Sequence, residues 1–305
     1  MIRGNILTIG FSTVELQLSV PEKAQNNSKR LESEKYRFTA CGKGANAAIA
    51  ISRLGWSSML CTAIGDDMFG KTFVRIFTDE KVDLRYVKAS RNAQTSINVA
   101  FENGAGSEIF VPSAGGTISP TDVETAFNVM PDAVITSLEI PFDCVLKASQ
   151  CTNVQNTMFI LDTTGVTPDM DLSLLKRVDI AVLDDEDLAA ITGVQIKSID
   201  DRMNGCIKLN SKLNIGYTVI DMKQKGYYIY DGKYCSYVMP ADIPVVNTKG
   251  SREAFIASLA VSMLRTADIK DSVDFASIAA SIASSREGGF ESFPTEREIR
   301  NFAKG

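Results

Sequence analysis

A short segment around residue 250 brings a glycine, a carboxylate and a predicted helix start together. Residues 247–255 read NTKGSREAF, after an apolar run and before a long helical pattern. The first backbone N–H groups of a helix lack internal partners and carry the positive end of its dipole, so a start at Gly250 can bind an anion. Glu253 falls in the first turn, where a base could face a bound phosphate. Alternatively, Gly250 only breaks the chain, Ser251 caps the helix and Glu253 complements the dipole.

The chain contains no histidine, and this restricts the chemistry open to it. Ser-His-Asp and Cys-His nucleophile systems are excluded, as are zinc sites built on imidazole. Proton transfer must then use a carboxylate, lysine, tyrosine or cysteine. The cysteines are scattered without a CxxC spacing, so we predict small buried hydrophobic residues rather than disulfides or a zinc site. They are Cys41, Cys61, Cys144, Cys151, Cys206 and Cys235.

Length and charge limit the classes of protein to which the chain can belong. Its 305 residues are 45% hydrophobic with a net charge of −5 at pH 7, which suits one large soluble domain. Residues 23–35 are the richest basic stretch, but glutamates interrupt it, so we predict a solvated face and no nucleic-acid partner. We find neither an apolar run of bilayer length nor a secretory signal pattern, so we expect no membrane partner and a cytoplasmic location.

Strands and helices alternate from about residue 119 onward. This alternation predicts an α/β fold with a mainly parallel sheet covered on both faces. We expect helices to begin near Thr121, Phe142, Leu172, Glu186 and Asp200, and strands to span 133–136, 158–161, 180–183 and 217–221. Residues 227–230 and 234–238 predict an antiparallel hairpin at the sheet edge. Two helices, 274–285 and 296–302, are predicted to follow the one after Gly250.

The first third of the chain contains strand patterns without crossover helices between them. Residues 6–10 predict a buried strand, and residues 14–18 alternate in the manner of a half-exposed strand. Residues 96–101 and 107–111 flank the sequence NGAG, which is typical of a hairpin turn. We therefore predict a small sheet, formed by residues 11–41 and 91–113, that is appended to the α/β core.

Five motifs, taken in order, resemble those of the ribokinase-like (PfkB) carbohydrate kinase family. They cover nearly the whole chain, and five in the right order are a specific signal for the fold. They are Gly42-Lys43-Gly44-Ala45-Asn46, Ile64 to Gly70, Ser137 to Pro141, Asp184 to Gly193, and Asn247 to Glu253. The resemblance implies a single ribokinase-like domain over residues 1–305, with a three-layer core and the small β-sheet as a lid over a sugar site. It also implies phosphoryl transfer from ATP to a sugar or nucleoside hydroxyl.

On the sugar side, the resemblance implies that Glu15, Gly42, Lys43, Asn46 and Glu139 contact the substrate. Glu15 replaces an aspartate that usually holds sugar hydroxyls, and a glutamate keeps that chemistry at longer reach. The alternatives are a polar residue on an alternating strand for Glu15, a glycine-rich helix start for residues 42–46, and a surface acid before a helix for Glu139.

On the phosphate side, the resemblance implies catalysis by Glu253 as base, with Gly250, Ser251 and Arg252 as the anion site. Here the sequence departs from the family pattern. Glu253 replaces the catalytic aspartate, and an extra methylene moves the carboxylate by about 1 Å. Arg252 replaces a glycine, and its guanidinium could pair with a phosphate in compensation.

The nucleotide is expected to contact Asp184, Asp187, Lys223 and Gly226, with magnesium bound at Asp187. Asp184 and Asp187 replace the Asn and Glu of an N-x-x-E motif, and oxygen ligands for magnesium survive this change. Lys223 replaces a glycine of the nucleotide loop. The alternatives are an acidic helix start around Asp184 and an exposed hairpin turn at Lys223.

Two hypotheses for the function follow. The first is an ATP- and magnesium-dependent carbohydrate kinase that acts on a small sugar or nucleoside. The second is a degenerate relative that binds a sugar, a nucleotide or a partner without efficient transfer. A nicotinamide oxidoreductase is disfavoured because no G-x-G-x-x-G follows the first strand. An exposed lid edge could pair two copies into a homodimer.

Overall fold

The computed structural model describes residues 4–19, 32–102, 107–113 and 117–304. The NGAG turn, and the part of the predicted lid between residues 20 and 31, lie outside the described residues. The strands are β1 (Asn5–Ile9), β2 (Thr13–Ser19), β3 (Lys35–Cys41), β4 (Ser57–Gly65), β5 (Asp83–Ser90), β6 (Ile97–Glu102), β7 (Ser107–Val111), β8 (Ala133–Ser137), β9 (Met158–Asp162), β10 (Val178–Asp184), β11 (Ile215–Asp221), β12 (Tyr227–Tyr230) and β13 (Cys235–Val238). The α-helices are α1 (Lys43–Arg53), α2 (Met68–Asp79), α3 (Pro120–Ala126), α4 (Phe142–Gln155), α5 (Asp185–Thr192), α6 (Ile199–Lys212), α7 (Ser251–Thr266), α8 (Ile269–Ser284) and α9 (Glu296–Phe302).

The larger sheet has the strand order β13-β12-β11-β10-β9-β8-β1-β4-β5. Its strands are parallel from β5 to β11, and β12 and β13 form an antiparallel hairpin at one edge. The predicted mainly parallel sheet with an edge hairpin is therefore confirmed. In such a sheet the carboxyl ends of the parallel strands lie along one edge, where the loops can build a site.

Helices cover both faces of this sheet. One core cluster packs the sheet against α1, α2, α7, α8 and α9, around Phe73, Phe255 and Ile299. The other packs the opposite face against α3 to α6, around Phe159 and Leu188. This arrangement confirms the predicted three-layer α/β core. Within the described ranges, none of the helices combines the length and apolar composition that a membrane crossing requires.

The smaller sheet has the order β3-β2-β6-β7 and falls within the predicted ranges. The strand β2 is more buried than predicted, because its polar residues Thr13, Glu15 and Gln17 are all buried. The polar side of the alternating pattern thus faces inward. The edge strand β7 exposes Ile109 and Val111, and pairing of two copies there stays a prediction.

Several local predictions were wrong. The strand β5 was missed because its sequence, DLRYVKAS, is polar and lacks a clear hydrophobic period. The helix predicted near Leu172 is a single 3₁₀ turn, since β10 begins only a few residues later. The helix α8 begins at Ile269, five residues before the predicted start at 274. Among the cysteines, Cys235 is exposed, and Cys41 and Cys151 are only half-buried.

Candidate active site

A cavity of about 540 Å³ lies between the small sheet and the first turns of α1 and α7. Glu15 on β2 lines its small-sheet side, and Lys43, Glu139 and Glu253 line its core side. Both helix starts contribute backbone N–H groups and the positive ends of their dipoles. The cavity therefore combines charged side chains with fixed donors in a concavity large enough for a small molecule.

Close approach of two backbones positions the start of α1. A Cβ atom on Gly44 would lie 2.5 Å from the Cα atom of Gly10, which follows β1. Gly42 has φ of 104°, and a Cβ atom there would lie 2.5 Å from the carbonyl oxygen of Phe11. Only glycine meets both requirements, so these residues hold the first turn of α1 at the carboxyl end of β1.

Asn46, in the first turn of α1, points to a hydroxylated ligand. It lines the cavity and is 6% exposed, and its Oδ1 atom accepts no hydrogen bond from the described residues. A buried carbonyl oxygen without a donor is unfavourable by about 1–3 kcal/mol. A ligand hydroxyl that donates to Oδ1 would remove this cost, and the substrate contact of Asn46 stays a prediction.

Glu15 lies in the cavity wall with its charge balanced by the protein. Its carboxylate accepts hydrogen bonds from Gln17 Nε2, from Asn98 Nδ2 at 2.8 Å and from Lys249 Nζ at 3.2 Å. Lys249 belongs to the loop before α7, so this ion pair joins the small sheet to the core. The carboxylate keeps some acceptor capacity for a ligand, but Lys249 now shares this end of the cavity.

The start of α7 carries donors that the protein leaves available. Gly250 is the N-cap with φ of 80°, and no side chain caps the helix. The Ser251 hydroxyl donates instead to the carbonyl oxygen of Thr248 at 2.8 Å, so the capping role considered for Ser251 is wrong. In the described part of the chain, the backbone N–H groups of Arg252 and Glu253 donate to no acceptor. These donors can bind an anion.

Glu253 projects from this first turn into the cavity and is 7% exposed. Lys43 Nζ donates to Glu253 Oε1 at 3.3 Å, so the first residue of α1 contacts the first turn of α7. Burial alone would lower the pKa of Lys43, but the carboxylates of Glu253, Asp162 and Glu139 outweigh it and hold that pKa above its ordinary value. The Lys43 ammonium therefore stays charged beside Glu253.

The Arg252 side chain lies beneath α7 with 14% of its surface exposed, and it does not line the cavity. Its Nε and Nη2 atoms donate to Asp162 Oδ1 at 3.0 and 2.7 Å, and Nη2 also donates to the carbonyl oxygen of Val182 at 3.1 Å. Asp162 is 3% exposed. Burial would raise the pKa of Asp162, but Arg252 and Lys43 outweigh this effect and lower it. The phosphate contact expected of this guanidinium is replaced by an internal ion pair.

Sequence reasoning missed Asp162, Lys249 and Asn98. Asp162 is the last residue of β9 and directly follows a buried apolar run, so its position at the carboxyl end of a parallel strand was the available signal. Lys249 lies within the segment around Gly250, but its partner Glu15 is distant in the chain. No local pattern distinguishes Asn98 on β6 from an ordinary strand residue.

Glu139 lies in the loop between β8 and α4 and is open to the cavity. Glu139 is an exposed residue, but the protein beside its carboxyl disfavours the charged form and raises its pKa from 4.5 to about 7. Lys43 opposes this rise, whereas Asp162 and Glu253 add to it. The contact of Glu139 with a substrate stays a prediction. Its carboxyl changes charge near neutral pH.

In the acidic segment at the start of α5, Asp184 and Asp187 make different contacts. Asp184 is the N-cap of α5, accepts from the N–H groups of Glu186 and Asp187, and contacts Lys223 Nζ at 3.1 Å. Asp187 accepts from the Thr163 hydroxyl at 2.7 Å and lies 3.9 Å from Arg252. Burial is the largest cause that raises the pKa of Asp187, so its negative charge is only partly compensated.

The acidic side chains of the site can be compared with the ligands that a magnesium ion needs. Within the described ranges, no three His, Cys, Asp or Glu side chains cluster as a metal site. Magnesium that accompanies a nucleotide needs only one or two carboxylates, because phosphates and water supply the other ligands. Asp187, half-buried and incompletely compensated, suits that limited role, and the residues present are therefore compatible with the ion.

Lys223 and Gly226 form a tight turn after β11. Lys223 has φ of 59°, a conformation that favours glycine, and its side chain extends to Asp184. Gly226 has φ of 90°, and a Cβ atom there would lie 2.2 Å from the carbonyl oxygen of Val238. Lys223 therefore keeps a glycine-like backbone, with its side chain directed to the acidic segment.

Comparisons with known proteins agree with this architecture. The model of the pfkB family carbohydrate kinases matches residues 4–296. The ribokinase of Dictyostelium discoideum is 24% identical, over 98% of this chain and 100% of its own length. A bifunctional ribokinase/ribose-5-phosphate isomerase A of Fructilactobacillus sanfranciscensis is 25% identical over 97% of this chain, which spans 55% of that longer protein. The structure of Arabidopsis thaliana ribokinase complexed with ribose and ATP has a TM-score of 0.89 at 21% identity, with 99% of each chain covered.

Replacing Asp162 with asparagine should strongly destabilise the protein, because Arg252 would keep a buried charge without its counterion. We expect the free energy of unfolding, measured by urea denaturation, to fall by about 3–5 kcal/mol. The double variant D162N/R252M removes both charges and should recover much of this loss.

The exposed ion pair between Arg85 and Asp83 provides the matched control. D83N should change the free energy of unfolding by less than about 1 kcal/mol. A loss in D162N no greater than the loss in D83N would contradict the structural role of the buried pair.

Replacing Glu139 with glutamine should change how stability depends on pH. The raised pKa means that the folded protein favours the protonated carboxyl. The resulting stabilisation is complete below the ordinary pKa of 4.5 and is lost as the pH rises to about 7. The Tm of E139Q, relative to wild type, should therefore be higher at pH 8 than at pH 5. E139D keeps an ionisable group and should follow wild type. A pH-independent difference between E139Q and wild type would contradict the prediction.

Proposed function

The chain belongs to the pfkB family of carbohydrate kinases, and on that premise we propose that it transfers the γ-phosphoryl group of ATP to a hydroxyl of a small sugar or nucleoside. The substrate would occupy the 540 Å³ cavity, with its hydroxyls at Asn46, Glu139 and the start of α1. The ribokinase structure that the chain resembles contains ribose and ATP, which supports this pair of ligands.

The observation that carries the proposal is the position of Glu253. Its carboxylate lines the cavity, and its backbone N–H belongs to the uncapped start of α7. On this proposal, a base and an anion site meet at one turn of one helix. This combination is what phosphoryl transfer to a hydroxyl requires, since the reaction depends on positioning, on charge stabilisation and on one acceptor for the hydroxyl proton.

The residues would divide the reaction among them as follows. A substrate hydroxyl donates its proton to Glu253, and its oxygen bonds to the γ-phosphorus while the bond to the ADP oxygen breaks. The N–H groups of Arg252 and Glu253 donate to the transferring group, whose charge they stabilise. Asp187 would hold magnesium, and the bound ion would supply positive charge to the nucleotide phosphates. Lys223 and Asp184 lie beside this region as a paired cation and anion.

The Arg252 side chain supports this arrangement without contacting a phosphate. The residue is helical, so its backbone needs no glycine, and its side chain fastens the first turn of α7 to Asp162. Replacing Arg252 with glycine, as in the family pattern, would leave Asp162 without its partner. The arginine that replaces the family's glycine is therefore needed in this chain to neutralise Asp162.

A nucleoside is the second candidate substrate, and one observation favours it. Phe11 and Phe110 form an edge-to-face pair with ring centroids 5.4 Å apart, and both line the cavity. Aromatic side chains bind nucleobases by stacking. A ligand with a hydroxylated half at Asn46 and an aromatic half at Phe110 would match both ends of the cavity.

Replacing Glu253 with glutamine should abolish turnover and spare substrate binding. Loss of a general base typically lowers the rate by about 10²–10⁴-fold. ADP release with Mg·ATP and a panel of sugars and nucleosides measures turnover, and calorimetry measures substrate affinity. E253D keeps a carboxylate and should retain more activity than E253Q.

Two outcomes would count against this function. If E253Q turns over at the wild-type rate, Glu253 is not the base. If wild type binds a sugar but neither binds nor hydrolyses Mg·ATP, the chain is a binding protein without phosphoryl transfer.

Replacing Phe110 with alanine separates the two substrate classes. Loss of a stacked base costs about 1–3 kcal/mol, so the KM for nucleosides should rise by about tenfold while the KM for ribose changes little. I109A is the matched control, because Ile109 is the exposed neighbour of Phe110 on β7 and does not line the cavity. An equal effect of F110A on ribose and nucleosides would contradict base stacking.

A further inference from the structure

Lys43 and Glu253 line a second, much smaller chamber as well as the large cavity. This chamber has a volume of about 20 Å³ and lies where β1, β8 and β9 end. Ser137 and Asp162, the last residues of β8 and β9, also line it. The volume is that of a site for one water molecule, which needs about 10–15 Å³ and two to four polar partners.

Ser137 has a hydroxyl whose hydrogen bonding the protein does not satisfy. The residue is 4% exposed, and its Oγ atom has no hydrogen-bond partner among the described residues. Its neighbour Thr136 differs, because that hydroxyl donates to the carbonyl oxygen of Ile9 at 2.8 Å. A bound group in the chamber would satisfy this hydroxyl.

Asp162 contributes a second buried acceptor on the same side of the sheet. In the described part of the chain, all four hydrogen bonds to its carboxylate end on Oδ1 and come from Arg252 and Thr164. None of them reaches Oδ2. Ser137 and Asp162 are register partners between β8 and β9, so their side chains point to the same face.

We propose that the chamber binds one ordered water molecule, and that Ser137 acts through it as a positioning residue for the base Glu253. The water accepts hydrogen bonds from Lys43 Nζ and Ser137 Oγ and donates to Asp162 Oδ2. Lys43 is then held by Glu253 on the cavity side and by the water on the chamber side. The role of Ser137 in the reaction rests on the proposed function, whereas the water site does not.

The charges around Glu253 explain why the Lys43 ammonium must be held in position. Lys43 on α1, Asp162 at the end of β9, Glu139 after β8 and Arg252 on α7 interact with one another around it. Three carboxylates therefore compete for Lys43, and its bond to Glu253 is long, at 3.3 Å. A water held by Ser137 and Asp162 satisfies the chamber side, so the ammonium stays directed at Glu253.

A high-resolution crystal structure of the wild-type protein tests the site directly. We expect an ordered water within about 2.6–3.2 Å of Ser137 Oγ and Asp162 Oδ2, and its loss or displacement in S137A. A dry chamber in wild type would overturn the proposal. A metal ion there, recognised by its shorter contacts or anomalous signal, would also overturn it.

Kinetics test the positioning role. S137A should lower kcat by about threefold to tenfold, the loss of one hydrogen bond, with the KM for both substrates within about twofold. Y228F is the control: it removes a buried hydroxyl on β12 that lines neither cavity, and should leave kcat and both KM values unchanged.

The crystallographic and kinetic experiments distinguish a failure of this proposal from a failure of the proposed function. An unchanged kcat in folded S137A, or a rise in KM that accounts for the loss of activity, would overturn the positioning role. If wild type shows no turnover with any sugar or nucleoside, the proposed function and the positioning role both fail. The crystallographic arm still decides whether the water site exists.

Discussion

Arg252 and Asp162 neutralise each other at a depth where neither charge would be stable alone. Their ion pair joins the first turn of α7 to the end of β9. Successive residues of a helix point about 100° apart, so binding Arg252 beneath the helix turns Glu253 toward the cavity. The orientation of Glu253, the proposed base, therefore depends on the ion pair that the preceding residue, Arg252, forms with Asp162.

A chain of alternating charges extends from this pair. Asp187, Arg252, Asp162, Lys43 and Glu253 follow one another through the core edge of the site. Three carboxylates and two cations leave a negative surplus before Glu139 is counted. Desolvation is the largest cause of the raised pKa values of Glu139 and Asp187, and neighbouring carboxylates add to it. The surplus is compatible with the positive charge of a magnesium ion.

The fold could be predicted from the sequence further than the site could. Alternating strands and helices, and motifs in a specific order, predicted the three-layer core and the separate small sheet, because these features depend on local patterns. The polar edge strand β5 has no such pattern and was missed. The ion pair of Arg252 with Asp162 was also missed, because the two residues lie 90 positions apart in the chain and only the assembled sheet brings them together. The same holds for Glu15 and Lys249, whose pairing crosses from the small sheet to the core.

The charge state of Glu139 has a consequence for a chain without histidine. Proteins usually respond to mild acidification through imidazole, which becomes a cation. Here a carboxyl titrates in that range, and acid converts it from an anion to a neutral hydrogen-bond donor. Acidification therefore leaves the Glu139 side of the cavity uncharged rather than positive. This side of the cavity then repels phosphate less at low pH, and its hydrogen bonding to ligands shifts from accepting hydroxyl protons to donating one.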